Sequence, residues 1–120
     1  PLTHRDHAQS VTFASGVVKP DGPDADYRAL AAPNATAVFY MGVGAAPEIR
    51  AKMLAHGRAP QTPVALIENG SSDAERRFTG TLDDLASLVT REAITGPAII
   101  IIGETAAVSA RLPPRQAQFA

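Results

Sequence analysis

The stretch Ala35-Thr36-Ala37-Val38-Phe39-Tyr40-Met41-Gly42 decides the fold class. It is a nearly continuous apolar run, rich in strand-forming residues and closed by a glycine, which is the pattern of a buried strand. Such a strand needs a sheet beside it and helices over it. Pro63-Val64-Ala65-Leu66-Ile67-Glu68 reads as a second buried strand, ending in the turn Asn69-Gly70-Ser71-Ser72. Pro97-Ala98-Ile99-Ile100-Ile101-Ile102 begins the most hydrophobic strand, which stops at Gly103-Glu104. Residues 10–18 alternate Val11, Phe13 and Val17 with smaller or polar neighbours and predict a half-buried strand that Gly16 interrupts. Arg76-Arg77-Phe78-Thr79-Gly80 predicts a short strand with Phe78 turned inward and Arg77 and Thr79 toward water.

Helical patterns lie between these runs. Residues 26–32 predict a short helix capped by Asp24 or Asp26. Pro47 stands near the start of a helix that carries Ile49, Met53 and Leu54 on one face and closes at Gly57. Thr81 is the expected N-cap of a third helix, with Asp83 and Asp84 in its first turn and Leu82, Leu85, Leu88 and Val89 as its apolar stripe. The fold class is therefore α/β, a mixed sheet of roughly five strands with about three helices packed on it. Residues 1–108 form the domain, and residues 109–120, with two prolines and no periodicity, are expected to be a tail.

Composition narrows the function. Eleven Lys and Arg against twelve Asp and Glu leave a formal charge of −1, so no overall field draws the chain to nucleic acid or an anionic membrane. The absence of Cys excludes disulfides and thiolate metal sites from these 120 residues. No apolar run is long enough to span a bilayer, and a soluble, cytoplasmic domain is expected. His4 and His7 lack a third close ligand, so no metal site is expected either. In sheets of this kind ligands gather at glycine-containing strand ends. Two loops qualify, Met41-Gly42-Val43-Gly44 and Glu68-Asn69-Gly70-Ser71.

The opening run Pro1-Leu2-Thr3-His4-Arg5-Asp6-His7-Ala8-Gln9-Ser10-Val11 adds a further clue. By spacing alone, Thr3 and Asp6 are placed to cap a solvated helix start. Together with Tyr40-Met41-Gly42, Thr62-Pro63-Val64-Ala65-Leu66-Ile67-Glu68-Asn69-Gly70-Ser71, Arg76, Gly80-Thr81-Leu82 and Pro97-Ala98, the run resembles the C-terminal half of the uroporphyrinogen-III C-methyltransferases, in the tetrapyrrole methylase family. The blocks occur in family order across roughly residues 1–108. Departures are Ser15-Gly16-Val17 for Thr-Gly-His, Glu75 for Gln in a Gln-Arg pair, and Ser71 for Thr.

The resemblance implies S-adenosylmethionine held between two α/β domains and uroporphyrinogen III methylated to precorrin-2, for siroheme or cobalamin. It implies cofactor contacts at Met41, Gly70 and Ala98, and none of these is an acid, base or nucleophile. A Met packs on an adenine or thioether through its polarizable sulfur, and a glycine admits a ligand to the backbone. Arg5 and His4 are the expected substrate-binding residues, because the tetrapyrrole is ringed with carboxylates that a guanidinium grips in bidentate fashion. The family's Gly-x-Gly-Pro-Gly-Asp loop and its proton-handling residues are absent. The chain is therefore expected to hold no catalytic residue, to be inactive without an N-terminal methylase domain, and to form a homodimer when full length. The alternatives are a non-catalytic binding or dimerisation module of the same fold, or a related precorrin methyltransferase.

Overall fold

The apolar runs pair into one mixed sheet. Its strands are β1 (Ser10–Ser15), β2 (Ala35–Tyr40), β3 (Pro63–Glu68), β4 (Arg76–Thr81) and β5 (Ala98–Ile102), in the spatial order β1-β2-β5-β3-β4. The computed structural model describes residues 1–110, the last two by their backbone alone. β1 lies parallel to β2, whereas β5 inserts antiparallel between β2 and β3, and β4 pairs antiparallel with β3. Among the described residues the helices are α1 (Tyr27–Leu30), α2 (Ala46–Ala55), α3 (Leu85–Arg91) and α4 (Glu104–Ala110), with a 3-10 turn at Val43–Ala45 leading into α2.

Strand alternation assigns the two faces. Phe39 of β2, Leu66 of β3 and Ile100 and Ile102 of β5 point to one side, where they meet Tyr27, Leu30, Ile49, Met53, Leu85 and Leu88 of the first three helices. Tyr27 stacks on Phe39 with ring centroids 6.0 Å apart. Each such side chain contributes about 1.5–3 kcal/mol by leaving water, so this layer is the main source of stability. On the opposite side α4 packs on β3, β4 and β5. There the buried hydroxyls of Thr36 and Thr105 share a 3.0 Å hydrogen bond. Among the described residues no helix is long and apolar enough to cross a membrane.

Several expectations need correction. β1 ends at Ser15, and its core-facing residue is Ala14, while Phe13 is 60% exposed. Pairing of Ala14 with Phe39 sends Val11 and Phe13 to the far face, which α4 leaves open at that edge. α3 begins at Leu85 rather than after Thr81. Thr81 stays in the ladder opposite Pro63, and its hydroxyl bonds Asp84 Oδ2 at 3.1 Å. The opening run is not a helix start: His4 and Ala8 form a bridge around a tight turn, and the Asp6 amide donates to His4 Nδ1. The helix α4 was not expected, and it takes in residues 109 and 110 of the predicted tail. The rest of that tail, 111–120, lies outside the described residues.

Candidate functional site

At the carboxyl ends of β2 and β3 the sheet opens into a cavity of about 630 Å³. Both loops singled out in the sequence line it. Tyr40, Met41, Val43 and Gly44 come from the end of β2, and Ile67, Gly70 and Ser71 from the end of β3. A third wall, Gly96 to Ile99, comes from the entry to β5, and Glu75, just before β4, and Arg77 within it close the rim. Met41, Gly70 and Ala98 thus lie around one cavity, although they come from different strands. Much of the wall is apolar, and Tyr40, Met41 and Ile99 are 46%, 59% and 43% exposed.

The loops are held in costly conformations. Met41, Asn69 and Ser71 have φ of 54°, 52° and 66°, in the left-handed region that side chains other than glycine seldom adopt. Such strain persists only where the surroundings over-determine it. At Met41 the restraint is Gly16: its amide donates to the Tyr40 carbonyl at 2.8 Å, and its α-carbon lies against Met41 and Gly42 so closely that a β-carbon there would be 2.4 Å from Gly42 Cα. At the second loop the Ser71 amide donates to Glu75 Oε1 at 2.8 Å, and the Ser72 hydroxyl donates to the Asn69 carbonyl at 2.7 Å.

Beside the cavity, Glu68 is the one buried carboxylate among the described residues, 3% exposed although it does not line the wall. Its Oε1 accepts from Arg76 Nε at 2.6 Å, and its Oε2 accepts from the amides of Thr95 and Gly96 at 3.0 and 2.9 Å. The Arg76 hydrogen bond first, then the Gly96 and Thr95 amides, hold the carboxyl down to about 2 from an ordinary 4.5, against the opposing effect of burial. A lowered folded-state pKa adds stability that is present above about pH 4.5 and lost as the pH falls toward about 2. Acid melts across that window are expected to cost the natural chain more stability than Glu68→Gln, and parallel curves would contradict this. Arg76 is thus a clasp, whereas Arg77 pairs with Glu75 at 2.8 Å on the rim.

His4 and Arg5 lie elsewhere. Gln9 bonds the Asn34 carbonyl and Ser10 pairs with Ala35, so the opening run sits at the amino ends of β1 and β2, a strand's length from the cavity. The His4 and His7 rings pack at 4.8 Å, and Arg5 is exposed without an ion pair among the described residues. Among the described residues no three His, Asp or Glu gather as a metal site. Sequence reasoning missed Gly16 and Gly96 as cavity-shaping positions. A glycine breaking a strand pattern was the available signal for the first.

A mixed sheet with a glycine-rich cavity at its strand ends is a frame for binding a small ligand. The chain belongs to the tetrapyrrole (corrin/porphyrin) methylases, whose family model matches residues 1–86. It is 50% identical over 112 residues to the siroheme synthase of Pseudoalteromonas translucida, covering 93% of this chain and 24% of that protein. It is 48% identical over 104 residues to the siroheme synthase of Pseudomonas aeruginosa, covering 87% and 22%. Among solved structures, the uroporphyrin-III C-methyl transferase of Thermus thermophilus complexed with S-adenyl homocysteine superposes with a TM-score of 0.77 at 35% identity, over 90% of this chain and 48% of that one. A cobalt precorrin-4 methyltransferase of cobalamin biosynthesis shares the fold, with a TM-score of 0.76 at 19% identity over 85% and 43%. The chain therefore spans about a quarter of the siroheme synthases it matches and about half of the solved methyltransferases.

Proposed function

We propose that this chain is the C-terminal half of an S-adenosylmethionine-dependent uroporphyrinogen-III C-methyltransferase, and that its cavity is one wall of the cofactor site. One observation carries the reading. Met41, Gly70 and Ala98, the residues that the family resemblance marks for the cofactor, converge on a single cavity from three strands. The cavity suits a nucleoside linked to a thioether: flat apolar surface from Met41, Ile67 and Pro97, and backbone bared at Gly44, Gly70 and Gly96. S-adenosylmethionine, when bound, supplies an electrophilic methyl group. The residues here bind and orient it, which is the main requirement of a direct displacement. The exposed Tyr40, Met41 and Ile99 are the surface that an N-terminal methylase domain would cover. Acid–base work falls to that domain, so the isolated chain is inactive and the full protein, a cytoplasmic homodimer, makes precorrin-2 for siroheme or cobalamin.

His4 and Arg5 form a second element of this proposal, serving the carboxylates of the tetrapyrrole from outside the cavity. In the full-length protein Arg5→Ala is expected to raise the KM for uroporphyrinogen III about tenfold, as loss of a charge-assisted contact does. The affinity for S-adenosylhomocysteine should stay unchanged, because Arg5 is remote from the cavity. Steady-state kinetics and calorimetry on the same samples check both statements. Loss of both affinities with a lower melting temperature would make Arg5 a strut between domains. Unchanged kinetics and stability would leave the run a solvated turn.

A further inference from the structure

We propose that Glu68 is a positioning residue for the cofactor cavity, acting through the two walls it ties together. The inference rests on the cofactor reading above and extends it to a side chain outside the wall. The segment from Ile94 to Pro97 has no helix or strand of its own, yet its last two residues form part of the cavity. What holds it is the end of β3. One Glu68 oxygen takes the amides of both Thr95 and Gly96, and the next residue, Asn69, donates its amide to the Pro97 carbonyl at 2.8 Å. The Asn69 side chain lies over Gly96 so tightly that a β-carbon there would be 2.8 Å from Asn69 Oδ1. The third wall is thereby set directly against the loop that carries Gly70 and Ser71.

The other Glu68 oxygen is held from behind. Arg76 binds it and also reaches the carbonyls of Glu92 and Ala93, both at 3.4 Å, where α3 ends with Ala93 at a φ of 49°. A carboxylate is the one side-chain group that accepts on both oxygens at this spacing. A glutamine of the same shape must turn an NH₂ toward either Arg76 or the two amides, and both are donors. The wall at Gly96 to Ala98 then loses its anchor while the apolar core beneath it stays packed.

The test is calorimetric titration of S-adenosylhomocysteine into the full-length protein, the natural form beside Glu68→Gln and Glu68→Asp, with amide exchange measured at Thr95 and Gly96. Failure of the natural protein to bind would sink the cofactor reading itself. If it binds, Glu68→Gln is expected to weaken the affinity about tenfold, the scale of a small misplacement of binding groups, and to release both amides to exchange. Glu68→Asp keeps the charge but not the reach, and should recover only part of the affinity. Undiminished affinity in a folded Glu68→Gln protein overturns the proposal and leaves Glu68 a strut. Weakened affinity with both amides still protected overturns it too. Should Glu68→Gln not fold, Arg76→Lys is read in its place: a loss of about threefold or more supports the proposal, being a milder form of the same misplacement, and unchanged affinity overturns it.

Discussion

Gly16→Val is expected to cost about 1–3 kcal/mol of stability, as overpacking does, and to remove measurable S-adenosylhomocysteine binding from a protein whose cavity it never touches. The reason is backbone against backbone. A β-carbon at residue 16 would lie 2.4 Å from Gly42 Cα, 2.6 Å from the Met41 carbonyl oxygen and 3.0 Å from the Gly42 amide. Neither loop can yield by turning a side chain, so β1 must part from the end of β2 or Met41 must leave its left-handed conformation. Either movement carries the Met41 side chain off the cavity wall. Thermal melts and calorimetry on the full-length variant read the two effects separately. Stability and affinity equal to those of the natural protein would mean that this backbone contact does not hold the loop.

Gly70→Val should lose binding too, but with stability kept. The first added carbon meets no backbone: it lies 3.3 Å from the Ile67 Cγ2 methyl, a tight contact that a side-chain shift of a few tenths of an ångström relieves, and 3.9 Å from Glu75 Oε1. Two further methyl groups then stand at a position that lines the cavity. The melting temperature is expected to stay close to that of the natural protein. Methyl transfer should fall by about a hundredfold or more, as it does when a bound group is displaced by an ångström. Competition with S-adenosylhomocysteine measures the same loss at the binding step. A variant with full cofactor affinity would return Gly70 to the role of a plain turn glycine.

These two glycines also mark how far the sequence could be read. Local pattern sufficed where one element carries its own signal. Pro63–Glu68 occupies the predicted strand, and α2 buries Ile49 and Met53 as its spacing requires. Gly70 was visible because it sits inside a turn motif. Gly16 matters through a contact with Gly42, and only the pairing of β1 with β2 brings the two together. The Glu68–Arg76 clasp likewise depends on hairpin register, which sets the two residues opposite one another. The inward face of β1 was misread because Phe13 outranks Ala14 in hydrophobicity, yet register places the smaller residue in the core. The helix α4 carries only Glu104 as a start signal, and its stability comes from packing on the sheet rather than from propensity.

The central claim, that the cavity receives S-adenosylmethionine, has a direct reporter. The chain holds two methionines. Met41 is 59% exposed at the cavity and Met53 is 0% exposed in the core. Full-length protein carrying ¹³C-methyl methionine, with the Met41 and Met53 resonances picked out through Met41→Leu and Met53→Leu, is titrated with S-adenosylhomocysteine to saturation. The Met41 methyl resonance is expected to move with ligand while that of Met53 holds its place. A Met41 resonance that stays still at saturation would contradict the account.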